Sequence, residues 1–313
     1  MLTLIRNEWF KLRKKPSIYL MAIIIVLLVI ATGMIGKVTE DAHSVPDNWK
    51  EDLAAKSEQL KEENQEHANN PILTENNRNL IAVNDYRIEH DIKPGSQLSV
   101  WSYTVENVPL ISVAGLLVMI IAAGIVSGEF SGGTIKLMMI RPAARWKVLL
   151  AKYLTVLTYG LLLVVLLLLA SLAVGIILFG TGDSMIHLTV NNGVVSEENV
   201  LVYLLRYFFF STIDLWMMVS LAFALSAIFR NTAVSLGVSL FAYLMGGTFT
   251  SLLAERFDWT KYLLFANTDL NRYVSGTPFV EGMTMTFSIV MLFLYLAVFL
   301  GTAFMTFTKR DIA

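Results

Sequence analysis

Six apolar runs, each near the roughly 20 residues needed to cross a bilayer core, dominate this chain of 313 residues. They fall at about 18–36, 107–127, 148–179, 201–229, 232–253 and 285–308. A segment isolated in hydrocarbon must satisfy its own backbone hydrogen bonds, so each run reads as a helix. The third and fourth are long for a perpendicular crossing and imply tilt or extension beyond the bilayer. Composition agrees, with 55% hydrophobic and 16% charged residues, against about 25% charged in an average soluble domain. One globular core cannot absorb that excess, because chains beyond roughly 250–300 residues divide into domains. The expected fold class is an all-α integral membrane protein. Six transmembrane helices form a domain from 17–36 and 107–308.

Orientation follows from Lys and Arg. With the N-terminus inside, residues 1–17, the 128–152 loop, Arg230, Lys309 and Arg310 put thirteen basic residues on the inner face. The short outer loops hold only three on the other face, Arg256, Lys261 and Arg272, and 180–200 carries none. Short loops rich in Lys and Arg stay cytoplasmic. Both termini, including the tail 309–313, are therefore expected on the cytoplasmic side. The first run, 19 residues long, exceeds the roughly 7–15 of a signal-peptide core, and Ala31-Thr32-Gly33 is a poor cleavage site. It reads as a retained span.

Residues 1–16 form an expected cytoplasmic interfacial helix. Leu2, Ile5, Trp9 and Leu12 share one narrow helical face, with Arg6, Lys11, Arg13 and Lys14 mostly away from it. That pattern lays an apolar stripe in lipid and turns cations toward headgroups. Pro16 stands at the bend into the first span, where its missing N–H does least harm.

Residues 37–106 differ in kind, with 14 Asp and Glu against 7 Lys and Arg. Trp49, Leu53 and Leu60 line one side of a helix, which Asn69-Asn70-Pro71 breaks. A second helix carries Leu73, Leu80, Ile81, Ile88 and Ile92 as far as Lys93-Pro94-Gly95. The expectation is an extracytoplasmic helical hairpin whose small core needs its neighbours for support. Its acidity serves solubility or draws cationic peptides.

A polar, basic interruption at 128–147 separates the second and third runs. Glu129 follows the second span directly, and Gly132 and Gly133 permit backbone angles closed to other residues. Thr134 can cap a two-turn segment from Ile135 to Ile140, and Pro142 ends it by pushing Arg141 out of helical geometry. Two turns are not stable alone, so a partner surface would supply their order. The plainer account is a loop whose basic residues snorkel to lipid phosphates.

The order Glu129, Gly132-Gly133-Thr134-Ile135-Lys136, Arg141-Pro142, Arg145 and Lys152-Tyr153 resembles the permeases of type-2 ATP-binding cassette (ABC) exporters. The likeness is residue by residue in this loop and looser, in the order of spans, over most of the chain. It implies a coupling loop resting on a separate ATPase subunit through Glu129, Gly132, Gly133, Thr134, Lys136, Arg141, Pro142 and Arg145. The N-terminal helix, with Trp9, Lys11 and Arg13, would touch that subunit too. It further implies a second permease copy or a paralogue, and two ATPase subunits that hold ATP and Mg. Short re-entrant helices at 254–284 would help form an outer gate, with Asp269, Asn271 and Arg272 as candidates.

Asp214 lies deep in the fourth run. A charge there costs about 2.5–3.5 kcal/mol on insertion scales. It must face the bundle interior, a dimer seam or a wet pathway. Either it bonds to Ser or Thr on a neighbouring helix, or it lines a substrate or proton route.

The chain has no G-x-x-x-x-G-K-[ST] phosphate loop and no H-E-x-x-H motif. His43, His67, His90 and His187 are scattered, and there is no Cys, which excludes thiolate metal sites and Cys nucleophiles. A net charge of −1 gives no reason to expect nucleic acid. No catalytic residue, cofactor or metal is expected in the chain itself. The expected function is the permease subunit of an exporter in a bacterial cell membrane, bathed by lipid, with an antimicrobial peptide or other amphipathic compound as cargo. Two other classes stay open. One is an ion-coupled secondary transporter using Asp214, the other a non-transporting, peptide-binding sensor or immunity protein.

Overall fold

The computed structural model describes residues 1–42, 48–67, 71–92, 99–133, 144–181, 186–191, 194–254, 256–274, 278–280 and 282–309. Helix α1 (Leu2–Arg13) turns through Pro16 into α2 (Pro16–Ala42). Helices α3 (Trp49–Glu66) and α4 (Pro71–Glu89) form the insertion, and α5 (Val100–Glu106) and α6 (Leu110–Ile125) follow as a bent pair. The short α7 (Ser127–Ser131) leads toward the long α8 (Arg145–Phe179). Among the described residues five helices are long and apolar enough to cross a membrane, and the bent pair makes a sixth crossing if taken as one. The fold is thus mostly helical and of membrane type.

The bend of 46° between α5 and α6 coincides with Pro109, which lacks the N–H a continuous helix would use. Its polar groups are met locally. Asn107 Nδ2 donates to the Tyr103 carbonyl (3.1 Å), Thr32 Oγ1 donates to Asn107 Oδ1 (2.8 Å), and the Tyr103 hydroxyl donates to the Val29 carbonyl. Gly175 lets α5 lie against α8, since a Cβ there would come within 3.1 Å of Val100 Cα. Helix α5, inside the insertion as bounded from sequence, thus packs on α8 of the bundle, and a crossing that took the bent pair as one span would start near Val100 rather than at 107. Helix α8 is 35 residues long, about 52 Å at the α-helical rise, well beyond a hydrocarbon core of about 30 Å.

Strands β1 (Ile186–Asn191) and β2 (Val194–Asn199) pair antiparallel, with Ile186 opposite Asn199. This hairpin departs from the all-α expectation, which left 180–200 as a loop. Alternating Ile186, Leu188 and Val190 followed by Asn192-Gly193 is a hairpin signature in the sequence. The strands are too short to have stood out beside the apolar runs. In the insertion, the helix–helix seam is polar. Asn84 Nδ2 donates to Ser57 Oγ (3.2 Å) and Asn77 is buried near Glu63, while Leu80 is half exposed. Tyr86 reaches from α4 to Glu197 of β2 (3.4 Å), so the thin hairpin leans on the strands.

Helix α9 (Val200–Phe229) is the most enclosed crossing. It runs through a continuous core with Ile25, Val118, Val156, Leu215 and Phe223. Helices α10 (Thr232–Ala254) and α12 (Met285–Lys309) instead expose long apolar faces, including Phe241, Leu244, Phe249, Phe293 and Val298. Between them lie a 3-10 turn at Asp258–Tyr262, the one-turn α11 (Leu264–Asn267) and a second 3-10 turn at Leu270–Tyr273. Short helical pieces thus occupy 258–273. Gly246 of α10 gives α11 its seat, because a Cβ there would overlap the Phe265 ring. Gly246→Ile is expected to cost about 1–3 kcal/mol, as overpacking does, and to lower the unfolding temperature in detergent. An unchanged temperature would mean that Phe265 swings aside freely.

Candidate functional site

The helical face of α1 that meets α8 is not the purely apolar stripe expected from sequence. Leu2 is almost fully exposed, whereas Leu12 is buried and Trp9 packs edge-on to Tyr159 (6.5 Å). Glu8 is buried on this same face. It lies three residues after Ile5 and four before Leu12, a spacing that puts it among them. The helix thus packs against protein, and a carboxylate points inward.

That carboxylate meets Lys152 of α8, which is only 1% exposed. The Lys152 ammonium donates to Glu8 Oε2 (2.8 Å) and to Glu129 Oε1 (2.9 Å). Lys11 donates to Glu129 Oε1 (3.1 Å) and stands 3.2 Å from Glu8 Oε1. Two carboxylates and two ammoniums alternate, so the group is neutral overall. Buried charges persist only when paired and hydrogen-bonded in this way. Burial works against the charge on Lys11, but Glu8 and Glu129 outweigh it and hold its pKa above the ordinary lysine value. Three pieces of chain are locked at one point: α1, the turn after α6, and α8.

The segment around Glu129 makes further anchors. The Val126 and Ser127 amides both donate to Ser226 Oγ of α9 (3.3 and 3.0 Å), which satisfies the break between α6 and α7. Phe130 lies under the Arg230 guanidinium (4.7 Å) and edge-on to Phe307 of α12 (6.4 Å). Gly132 closes α7, with its amide donating to the Gly128 carbonyl (2.9 Å), and Gly133 follows at φ 68. That left-handed angle is the one expected of a glycine here. Arg145 opens α8, exposed, with Nη1 3.5 Å from the Thr308 carbonyl. Thr134, Lys136, Arg141 and Pro142, and the segment from Ile135 to Ile140, lie outside the described residues. Arg13 is exposed. Glu8 and the central place of Lys152 were the pieces sequence reasoning missed.

The opposite end of the bundle, which carries the insertion, holds a cavity of about 520 Å³ between α4, the β-hairpin, α9 and the second 3-10 turn. Arg206, Asp269 and Arg272 line it. Arg206 grips Glu198 with two bonds (2.8 and 2.7 Å), and Arg272 donates to Asp269 (3.2 Å). His187 stacks on Tyr203 (3.7 Å), and burial pushes its pKa down, leaving the imidazole neutral at neutral pH. Asn271 donates to Ser211 Oγ (3.0 Å) and its amide is capped by Asp269 (3.2 Å). The three gate candidates Asp269, Asn271 and Arg272 thus line one cavity together. Tyr207, Asp269 and Asn271 also line a smaller polar cavity of about 290 Å³ that reaches Asp214. Thr268 stands beside Asp214 in this crevice, a polar neighbour of the kind expected if the carboxylate served packing. Among the described residues no group of three or more His, Cys, Asp or Glu is arranged to hold a metal ion.

Comparison with known proteins gives relatives without an assigned activity. The chain is 43% identical over its whole length, and the whole length of the other, to the "Uncharacterized protein YhcI" of Bacillus subtilis (strain 168). It is 35% identical, over 63% of this chain and 76% of the relative, to the "Uncharacterized membrane protein YdbK" of the same organism. The second description accords with the apolar helices found here, and the chain is a membrane protein by both signs. A family model described as "Protein of unknown function (DUF2705)" matches residues 72–313, which span the second half of the insertion and every later crossing, and the chain belongs to that family.

Proposed function

We propose that this chain is the transmembrane permease subunit of an ABC exporter, working as a dimer with two separate ATPase subunits in a bacterial cell membrane. The observation that supports this most is the charge-paired joint of Glu8, Lys11, Glu129 and Lys152. A device of this kind makes mechanical sense where force enters. ATP and Mg sit on the partner. Closure of the two ATPases moves the 128–147 loop and α1 together, and the joint passes that motion to α6 and α8 as one body. Two global states with different ATPase contacts are what such coupling requires. The exposed apolar face of α10 suits a second copy or a paralogue. Both termini and the joint are cytoplasmic in this reading, and the insertion cavity faces outward.

The test is capture of the partner. The tagged chain is drawn from gently solubilised membranes beside a variant carrying Lys136→Glu, Arg141→Glu and Arg145→Glu, which reverses the loop's charge and leaves the buried joint intact. A P-loop ATPase should accompany the native chain and fall about tenfold with the variant, the ratio set by about 1.4 kcal/mol. If the native chain brings down no such ATPase, the exporter reading is wrong. The crevice at Asp214 then favours ion-coupled transport instead.

A further inference from the structure

We propose that two cavities flanking Phe210 form one binding site for a cationic amphiphile, with its amine on Asp214 and its apolar body beside Trp216. One cavity, of about 460 Å³, lies between α8, α9 and α12 and is lined by Leu157, Phe209, Ile213, Trp216, Leu292 and Phe293 among others. The other is the 290 Å³ polar crevice with Ser112, Ser211, Asp214 and Thr268. Helical geometry, at 3.6 residues per turn, explains how they meet. Ile213, Trp216 and Met217 share one stripe of α9, while Tyr207, Ser211 and Asp214 share the next. Phe210 falls on the border and lines both cavities. A chain passing the Phe210 ring would have a polar end and an apolar end in matching surroundings.

The head must be cationic for a specific reason. Among the described residues Asp214 has no Lys or Arg within ion-pair distance, and its charged neighbour is another carboxylate, Asp269. Arg206, on the same helix, is held bidentately by Glu198, and Arg272 is engaged by Asp269. An uncompensated carboxylate inside a membrane bundle is costly, and a ligand ammonium would offset that cost. The body must be apolar because the larger cavity offers aromatic and aliphatic walls, within the roughly 300–1,000 Å³ typical of small-molecule sites. Trp216 Nε1 is buried there without an acceptor, which places a spectroscopic reporter in the cavity wall. The inference names a cargo class and rests on the exporter reading for that meaning. Binding itself needs no ATPase.

The native protein in phosphatidylcholine nanodiscs is titrated with 12-bromododecylamine, 12-bromododecanol and 12-bromododecanoate, bromine serving as a contact quencher. The Trp216 signal is isolated by difference from Trp216→Phe. The amine should half-quench it at about tenfold lower mole fraction than the alcohol, with the carboxylate weakest. In Asp214→Asn the amine's advantage should vanish. Equal quenching by all three in the native protein overturns the proposal without reliance on any Asp214 variant. So does a preference that survives Asp214→Asn, or equal quenching by brominated phosphatidylcholine, which would make the occupant a bilayer lipid. Amine preference without ATPase capture would sink the exporter reading alone. Capture without amine preference would sink this inference alone.

Discussion

Lys152→Met should destabilise the protein by about 3–5 kcal/mol, the usual cost of removing one partner from a buried ion pair. The methionine fills similar space, so the loss is electrostatic. Glu8 and Glu129 would face each other with only the half-exposed Lys11 between them. The effect should concentrate in α1, which the cluster holds to α8, and hydrogen exchange there should rise more than elsewhere. A triple variant, Lys152→Met with Glu8→Gln and Glu129→Gln, should recover much of the loss, since it leaves no buried charge unpaired. Thermal unfolding in detergent compares the three proteins. If the single and triple variants unfold at the same temperature, the joint is not held by charge pairing.

Asn267→Leu should cost on the order of 3 kcal/mol, because several buried polar groups lose their partner together. Asn267 is fully buried. Its Nδ2 donates to the carbonyls of Lys261 (2.8 Å) and Leu263 (2.7 Å), and its Oδ1 accepts from Ser288 Oγ (2.7 Å), which itself meets the Tyr273 hydroxyl (2.6 Å). One side chain thus ties both 3-10 turns and α11 to α12. Leucine is close in size but offers no hydrogen bond. Limited proteolysis at 258–274 should accelerate along with the fall in unfolding temperature. Protection equal to the native protein would show that water replaces the amide at little cost.

The crossings were legible because hydrocarbon demands a contiguous property of the chain, and about 20 apolar residues supply it wherever they occur. The insertion's helices were legible from their Pro and Gly breaks. What escaped was set by side chains meeting from afar. Glu8 and Lys152 are 144 positions apart, and neither residue alone marks the other as its partner. Glu8 is buried because α8 covers its face of α1. Asn267 likewise takes its role from partners up to 21 positions away.

By itself, then, the sequence determined a helical membrane chain and the approximate place of its long apolar helices, since hydropathy and turn chemistry act over a few residues at a time. Only the tertiary structure decided that the loop's glutamate belongs to a four-charge joint around the buried Lys152. Only it showed a bend ahead of α6 whose polar groups are satisfied by Asn107 and Thr32. It also put Phe210 between a polar and an apolar cavity. Each of these depends on how a helix is rotated against its neighbours. That rotation is set by packing across the whole bundle, which no local stretch of residues encodes.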